Sequence, residues 1–143
     1  MICKIFIDKE HAEEVIIYAH EKTELTERIE NLVKGEETAI TGYIESEAYP
    51  ISYDEIYCFV SEDEKIFAIL KDKKYRIKTR LYKLEEKLSP DFIKINQSCI
   101  VNIKKIEKFS ASIYGTLNIK LKNGYSDYVS RRNMKKIKER FGL

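Results

Sequence analysis

From residue 38 onward, apolar and polar side chains alternate in short runs: Thr38 to Glu45, Tyr49 to Tyr53, Glu55 to Ser61, Ile66 to Lys71 and Tyr75 to Lys78. A period of two over four to eight residues predicts half-buried strands. The connections Ser61-Glu62-Asp63-Glu64-Lys65 and Lys71-Asp72-Lys73-Lys74 are polar and short, which predicts antiparallel hairpins and leaves no room for crossover helices. Arg80 to Leu88 then reads as a short helix with Leu81, Leu84 and Leu88 turned inward and Ser89-Pro90 as its stop. Two further strands flank Asn96-Gln97-Ser98, and Ile103 to Phe109 continues the chain. Leu117 to Leu121 should pair with Tyr125 to Val129 across Asn123-Gly124, a strong hairpin signal, and a helix from Arg131 to Phe141 closes the chain.

The front of the chain follows a different pattern. Ile2, Phe6 and their neighbours predict an opening strand and Glu14 to Ala19 a second, although a short helix from Glu10 to Ile17 is also consistent. Thr23 has the chemistry of an N-cap for a helix carrying Leu25, Ile29, Leu32 and Val33 on one stripe, with Glu24 and Glu27 in its first turn and Gly35 as its C-cap. The composition changes near residue 36, which divides a small strand and helix extension, 1–36, from a β-rich remainder, 37–143.

With 143 residues and 43% hydrophobic content the chain can bury one proper core. No apolar run approaches the roughly 18 residues of a membrane span, and the first residues lack signal-peptide features, so a cytoplasmic location is expected. Cys3, Cys58 and Cys99 are odd in number and widely spaced, which fits core packing better than a disulfide framework or a zinc site; the alternative for Cys99 is an oxidant-sensing thiol. His11 and His20 stand far from any recognisable nucleophile, and the five glycines form no phosphate loop. These features predict no enzyme, cofactor, metal or small-molecule substrate.

Charge changes the picture more. The net charge of +2 conceals 6 Lys/Arg against 17 Asp/Glu in residues 1–70 and 20 against 7 in residues 71–143. The second part therefore has the electrostatic footprint of a polyanion-binding surface, facing nucleic acid or acidic lipid.

The segment Phe92-Ile93-Lys94-Ile95-Asn96-Gln97-Ser98-Cys99-Ile100-Val101-Asn102 sets a polar triplet between two apolar runs and resembles the signature of the LytTR family of bacterial DNA-binding domains. Further pieces follow in family order: Asp54 to Phe59, Leu81 to Leu88, Leu121-Lys122-Asn123-Gly124 and Val129-Ser130-Arg131-Arg132. The resemblance runs from about residue 38 to 143. It implies a mainly β fold with short helices (α+β), an elongated antiparallel LytTR-type arrangement whose loops enter the major groove of double-stranded DNA. The function implied is a sequence-specific transcriptional regulator.

On that footing Asn96 or Gln97 would make a bidentate amide contact to adenine, Arg131 or Arg132 would grip guanine, and Ser98 would bond a base or a phosphate. Lys65 is the nearest residue to the family's first recognition position, although Glu62-Asp63-Glu64 before it would repel DNA. Lys94, Lys104, Lys105, Lys135, Lys136 and Lys138 would contact phosphates. Blander roles stand beside these: Asn102 and Ser130 as caps of a turn and a helix. Arginines in a helix's first turn oppose its dipole, which favours a functional reason for at least one of the pair. Residues 1–36 resemble the extension of compact family members; as an acidic surface they suit a homodimer contact or a regulatory membrane or cytoplasmic protein. Two rival readings remain: an interaction adaptor that has lost DNA contacts, and an RNA-binding domain stacking bases on Tyr114 and Tyr125.

Overall fold

The computed structural model describes residues 2–33 and 38–143. The chain divides into two units, residues 1–36 and 37–143. In the first, helix α1 (Glu24–Val33) begins at Thr23, whose hydroxyl accepts from the Thr26 amide at 3.2 Å while the Thr26 hydroxyl accepts from the Thr23 amide at 2.8 Å. This reciprocal box satisfies two amides that a helix start otherwise leaves unpaired. The expected cap Gly35 lies outside the described residues. The two expected front strands do not form: residues 2–22 carry neither helix nor ladder, with bends at 9–11 and 20–21. Alternation extends the backbone, but a strand also needs an edge to pair with.

In the second unit a seven-stranded antiparallel sheet is formed by β1 (Ala39–Ile44), β2 (Glu47–Ser52), β3 (Cys58–Glu62), β4 (Lys65–Ile69), β5 (Lys74–Ile77), β6 (Phe92–Asn96) and β7 (Cys99–Asn102), in the order β2-β1-β5-β4-β3-β7-β6. Helix α2 (Leu81–Lys87) joins β5 to β6. A smaller sheet, β8 (Ile106–Ala111), β9 (Leu117–Leu121) and β10 (Ser126–Val129), has the order β10-β9-β8, and helix α3 (Arg131–Phe141) ends the unit. The predicted Asn123-Gly124 hairpin is present, with Gly124 at φ 92, Ser126 opposite Lys120 and Val129 opposite Leu117. Two single-turn 3-10 helices that the periodicity did not predict occupy Tyr53–Glu55 and Ile103–Lys105.

The main sheet is covered on both faces. On one side Phe59, Ile66, Tyr75 and Ile77 pack with Leu81 and Leu84 of α2. On the other Cys58, Val60, Ile95 and Val101 pack with Leu117, Ile119 and Val129 of the small sheet and Ile137 of α3. Strand β3 runs between both layers, so its three consecutive residues Cys58, Phe59 and Val60 are all buried. Leu84, fully enclosed, contributes on the order of 2 kcal/mol through apolar burial. At Gly42 a Cβ would stand 2.2 Å from Ile51 Cδ1 and 2.7 Å from Tyr75 Cβ, so only glycine lets β1 lie this close to its neighbours.

Candidate nucleic-acid interface

Backbone hydrogen bonds bring three chain reversals to one end of the main sheet. The Ser61 amide, at the end of β3, donates to the Ser98 carbonyl in the β6–β7 turn at 2.8 Å. The Ser130 amide, between β10 and α3, donates to the Ile95 carbonyl at 2.8 Å. The β3–β4 turn, the Gln97-Ser98 turn and the start of α3 are therefore neighbours. Short strands hold all three, which limits the ordering entropy lost when a ligand is engaged.

Asn96 ties this corner together. It is buried, its Nδ2 donates to the Tyr128 carbonyl at 2.8 Å, and its Oδ1 accepts from the Ser98 amide at 2.8 Å. The second bond closes an Asx turn, which fixes the direction of Gln97 and Ser98. The expectation that Asn96 touches a base is not met by this placement, because both ends of its amide are spent inside the protein. The register also slips between Lys94 and Asn96, a bulge that re-aims the strand just before its turn.

Gln97, Ser98, Arg131 and Arg132 are exposed, as expected of contact residues. Neither arginine is ion-paired with a described residue. Ser130 occupies the N-cap of α3, yet its hydroxyl accepts from Asn133 Nδ2 at 2.8 Å and makes no capping bond to the backbone. The first turn of α3 thus presents uncapped amides beside two guanidinium groups, an anion-seeking arrangement. Lys65 is exposed and sits opposite Glu62 in register. The Glu62 carboxylate pairs with Lys74 at 2.6 Å, which removes one of the three acids as a repulsive charge. Asp63 and Glu64 form the turn, both with positive φ, at 50 and 65.

The lysines expected on phosphates do not form one flank. Lys135, Lys136 and Lys138 are exposed along α3, the helix that starts at the corner. Lys104 and Lys105 lie at the far end of β7, and their environment explains them locally: Lys104 pairs with Asp91 at 3.1 Å, and Lys105 Nζ stands 5.0 Å from the centre of the Tyr57 ring. Lys94 is partly buried and pairs with Glu85 of α2 at 3.5 Å. Like charges near in sequence are separated because β6 and β7 run in opposite directions, which carries Lys104 and Lys105, in the turn after β7, away from the Gln97-Ser98 turn.

Other residues have structural roles. Asn102 is buried, accepts from the Lys104 amide at 3.1 Å and donates to the Ile56 carbonyl at 2.9 Å, as the capping alternative required. Cys99 is buried; its contact with Cys58, and then burial, push its thiol well above the ordinary range, the opposite of a reactive sensor. The Tyr125 ring packs in the second core cluster, and burial, followed by Cys99 and Asp127, raises its hydroxyl pKa. Tyr114 is exposed in the β8–β9 loop. Tyr128, a residue the polar motifs do not mark, is 56% exposed while its backbone carbonyl receives Asn96. The alternation of β10, in which Tyr128 is outward and Val129 buried, carried that signal.

A doubly covered antiparallel sheet presenting turns and a basic helix start defines a β-scaffold recognition domain. Residues 46–142 match the family model of the LytTr DNA-binding domain, and the chain belongs to the LytTR family. Two relatives from Staphylococcus aureus, strains MSSA476 and NCTC 8325, are each 34% identical over 146 residues, a span that covers 100% of this chain and 99% of theirs. Both are named HTH-type transcriptional regulators. No two helices follow one another among the described residues, so no helix-turn-helix is formed there. A solved structure of a LytTr DNA-binding domain from a Bacillus cereus methyl-accepting/DNA response regulator superposes with a TM-score of 0.70 at 20% identity, covering 75% of this chain and 99% of that one. Among the described residues no helix is long and apolar enough to cross a membrane.

Proposed function

We propose that this chain, a DNA-binding transcriptional regulator by family, reads duplex DNA with the corner where the Gln97-Ser98 turn meets the start of α3. Gln97 and Ser98 reach one groove position, and Arg131 and Arg132 the adjacent one. Lys65 flanks them, and Lys135, Lys136 and Lys138 grip phosphates along α3. Lys94, Lys104 and Lys105 take no part. The protein acts as a homodimer in the cytoplasm, with residues 1–36 also the surface for any regulatory protein. The observation that carries this reading is the pair of bonds joining the two reversals, Ser130 amide to Ile95 carbonyl and Asn96 to Tyr128 carbonyl, both at 2.8 Å.

The test is fluorescence anisotropy with the gene's own upstream region in the presence of competitor DNA. Binding that survives competition and falls tenfold or more in both Gln97→Ala and Arg132→Ala is the expected outcome, since a good bidentate contact is worth about 1–3 kcal/mol. Binding with no salt dependence would instead favour the adaptor, and preference for single-stranded RNA would favour base stacking on tyrosine.

A further inference from the structure

Residues 2–33 contain no buried apolar side chain, only the buried Thr26. Ile2, Phe6 and Ile7 are each at least 85% exposed, and α1 turns Leu25, Leu32 and Val33 to solvent. No backbone hydrogen bond joins residues 2–22 to the backbone of another described residue. Exposed apolar segments without backbone partners are templates for strand addition. Between residues 15–22 and α1 lies an open groove of about 550 Å³, lined by Val15, Ile17, Ala19, Thr26, Ile29 and Val33.

Charge identifies the occupant. Residues 2–9 carry Lys4 and Lys9 against Asp8, whereas residues 10–33 carry seven glutamates against Lys22 and Arg28. Glu13 and Glu21 have no ion-pair partner among the described residues. One chain thus holds a cationic apolar segment and an acidic apolar groove and leaves both open. We infer that residues 2–7 of each copy dock as a strand in the groove between residues 15–22 and α1 of a second copy, so that two chains exchange their first segments. The inference deepens the homodimer of the proposed function and rests on it. A twofold exchange satisfies both surfaces at once and pairs the open backbone groups of residues 2–7.

Sedimentation equilibrium of the full chain is the test. The expected wild-type mass is twice 16.9 kDa, falling to the single-chain mass in Phe6→Asp and in Ile17→Asp. A second arm uses charge reversal: a Lys4→Glu chain and a Glu21→Lys chain are each monomeric alone and form a heterodimer when mixed. A monomeric wild type, a dimer that persists in Phe6→Asp and Ile17→Asp, or a mixture that stays monomeric would each overturn the exchange. Affinity for a short single-site duplex, measured on the same samples, separates this result from failure of the DNA reading, because these substitutions lie outside residues 37–143.

Discussion

Two residues of the same chemical class, Asn96 and Gln97, have opposite tasks. The polar triplet is legible as a recognition signal, but which amide faces inward depends on the Tyr128 carbonyl, 32 positions away. Asn96→Ala leaves that carbonyl and the Ser98 amide without their partners. It should lower stability by on the order of 2 kcal/mol in urea unfolding and weaken DNA binding to all duplexes alike, whereas Gln97→Ala should alter base preference at constant stability. An unchanged unfolding midpoint in Asn96→Ala would refute the positioning role. Cys99 makes a second prediction. Its thiol is held protonated in the folded chain while the unfolded thiol ionises near its ordinary pKa of about 8.5. Its contribution is complete below that pH and is lost as pH rises, at about 1.4 kcal/mol per pH unit. Stability should therefore fall between pH 8 and pH 10 in urea titrations, and Cys99→Ala should fall less steeply.

At the scale of elements, β3 and β4 meet in a two-residue turn that needs positive φ at both positions, yet Asp63 and Glu64 occupy it. Hairpins of this kind prefer Asn-Gly, and a non-glycine residue in the left-handed region costs on the order of 1 kcal/mol. Replacing the pair with Asn-Gly should raise stability by about 1 kcal/mol and, by removing two carboxylates beside Lys65, tighten DNA binding. Stability and affinity that both stay at the wild-type value would show that the turn is neither strained nor near the DNA. The front strands make the complementary point. Ile2, Phe6 and their neighbours, and Glu14 to Ala19, have the apolar content of strands, but no edge within the described residues pairs with either.

Across the whole molecule, the basic residues sort by position. Lys135 and Lys136 follow the corner along α3, while Lys104 and Lys105 lie at the other end of β7 with local partners. Each phosphate contact contributes about −0.9 to the slope of log affinity against log salt. Lys135→Ala/Lys136→Ala should flatten that slope by roughly two, and Lys104→Ala/Lys105→Ala should leave it unchanged. Equal effects of the two double variants would place DNA elsewhere on the molecule.

The amino-acid sequence alone determined the strands, the hairpin and the two helices of residues 38–143, though not the single turns at Tyr53–Glu55 and Ile103–Lys105, because period-two alternation, the Asn123-Gly124 turn and the Leu81-Leu84 stripe act through neighbours a few residues apart. It also determined the family, because motifs in fixed order are a property of the chain itself. Only the tertiary structure decided the partition into two sheets, the inward turn of Asn96, the separation of Lys94, Lys104 and Lys105 from the α3 lysines, and the meeting of Ser98 with Ser61 and of Ser130 with Ile95. Those depend on which strands become neighbours, and strand neighbours are chosen by burying both faces of β3 at once, an energy that no single segment contains.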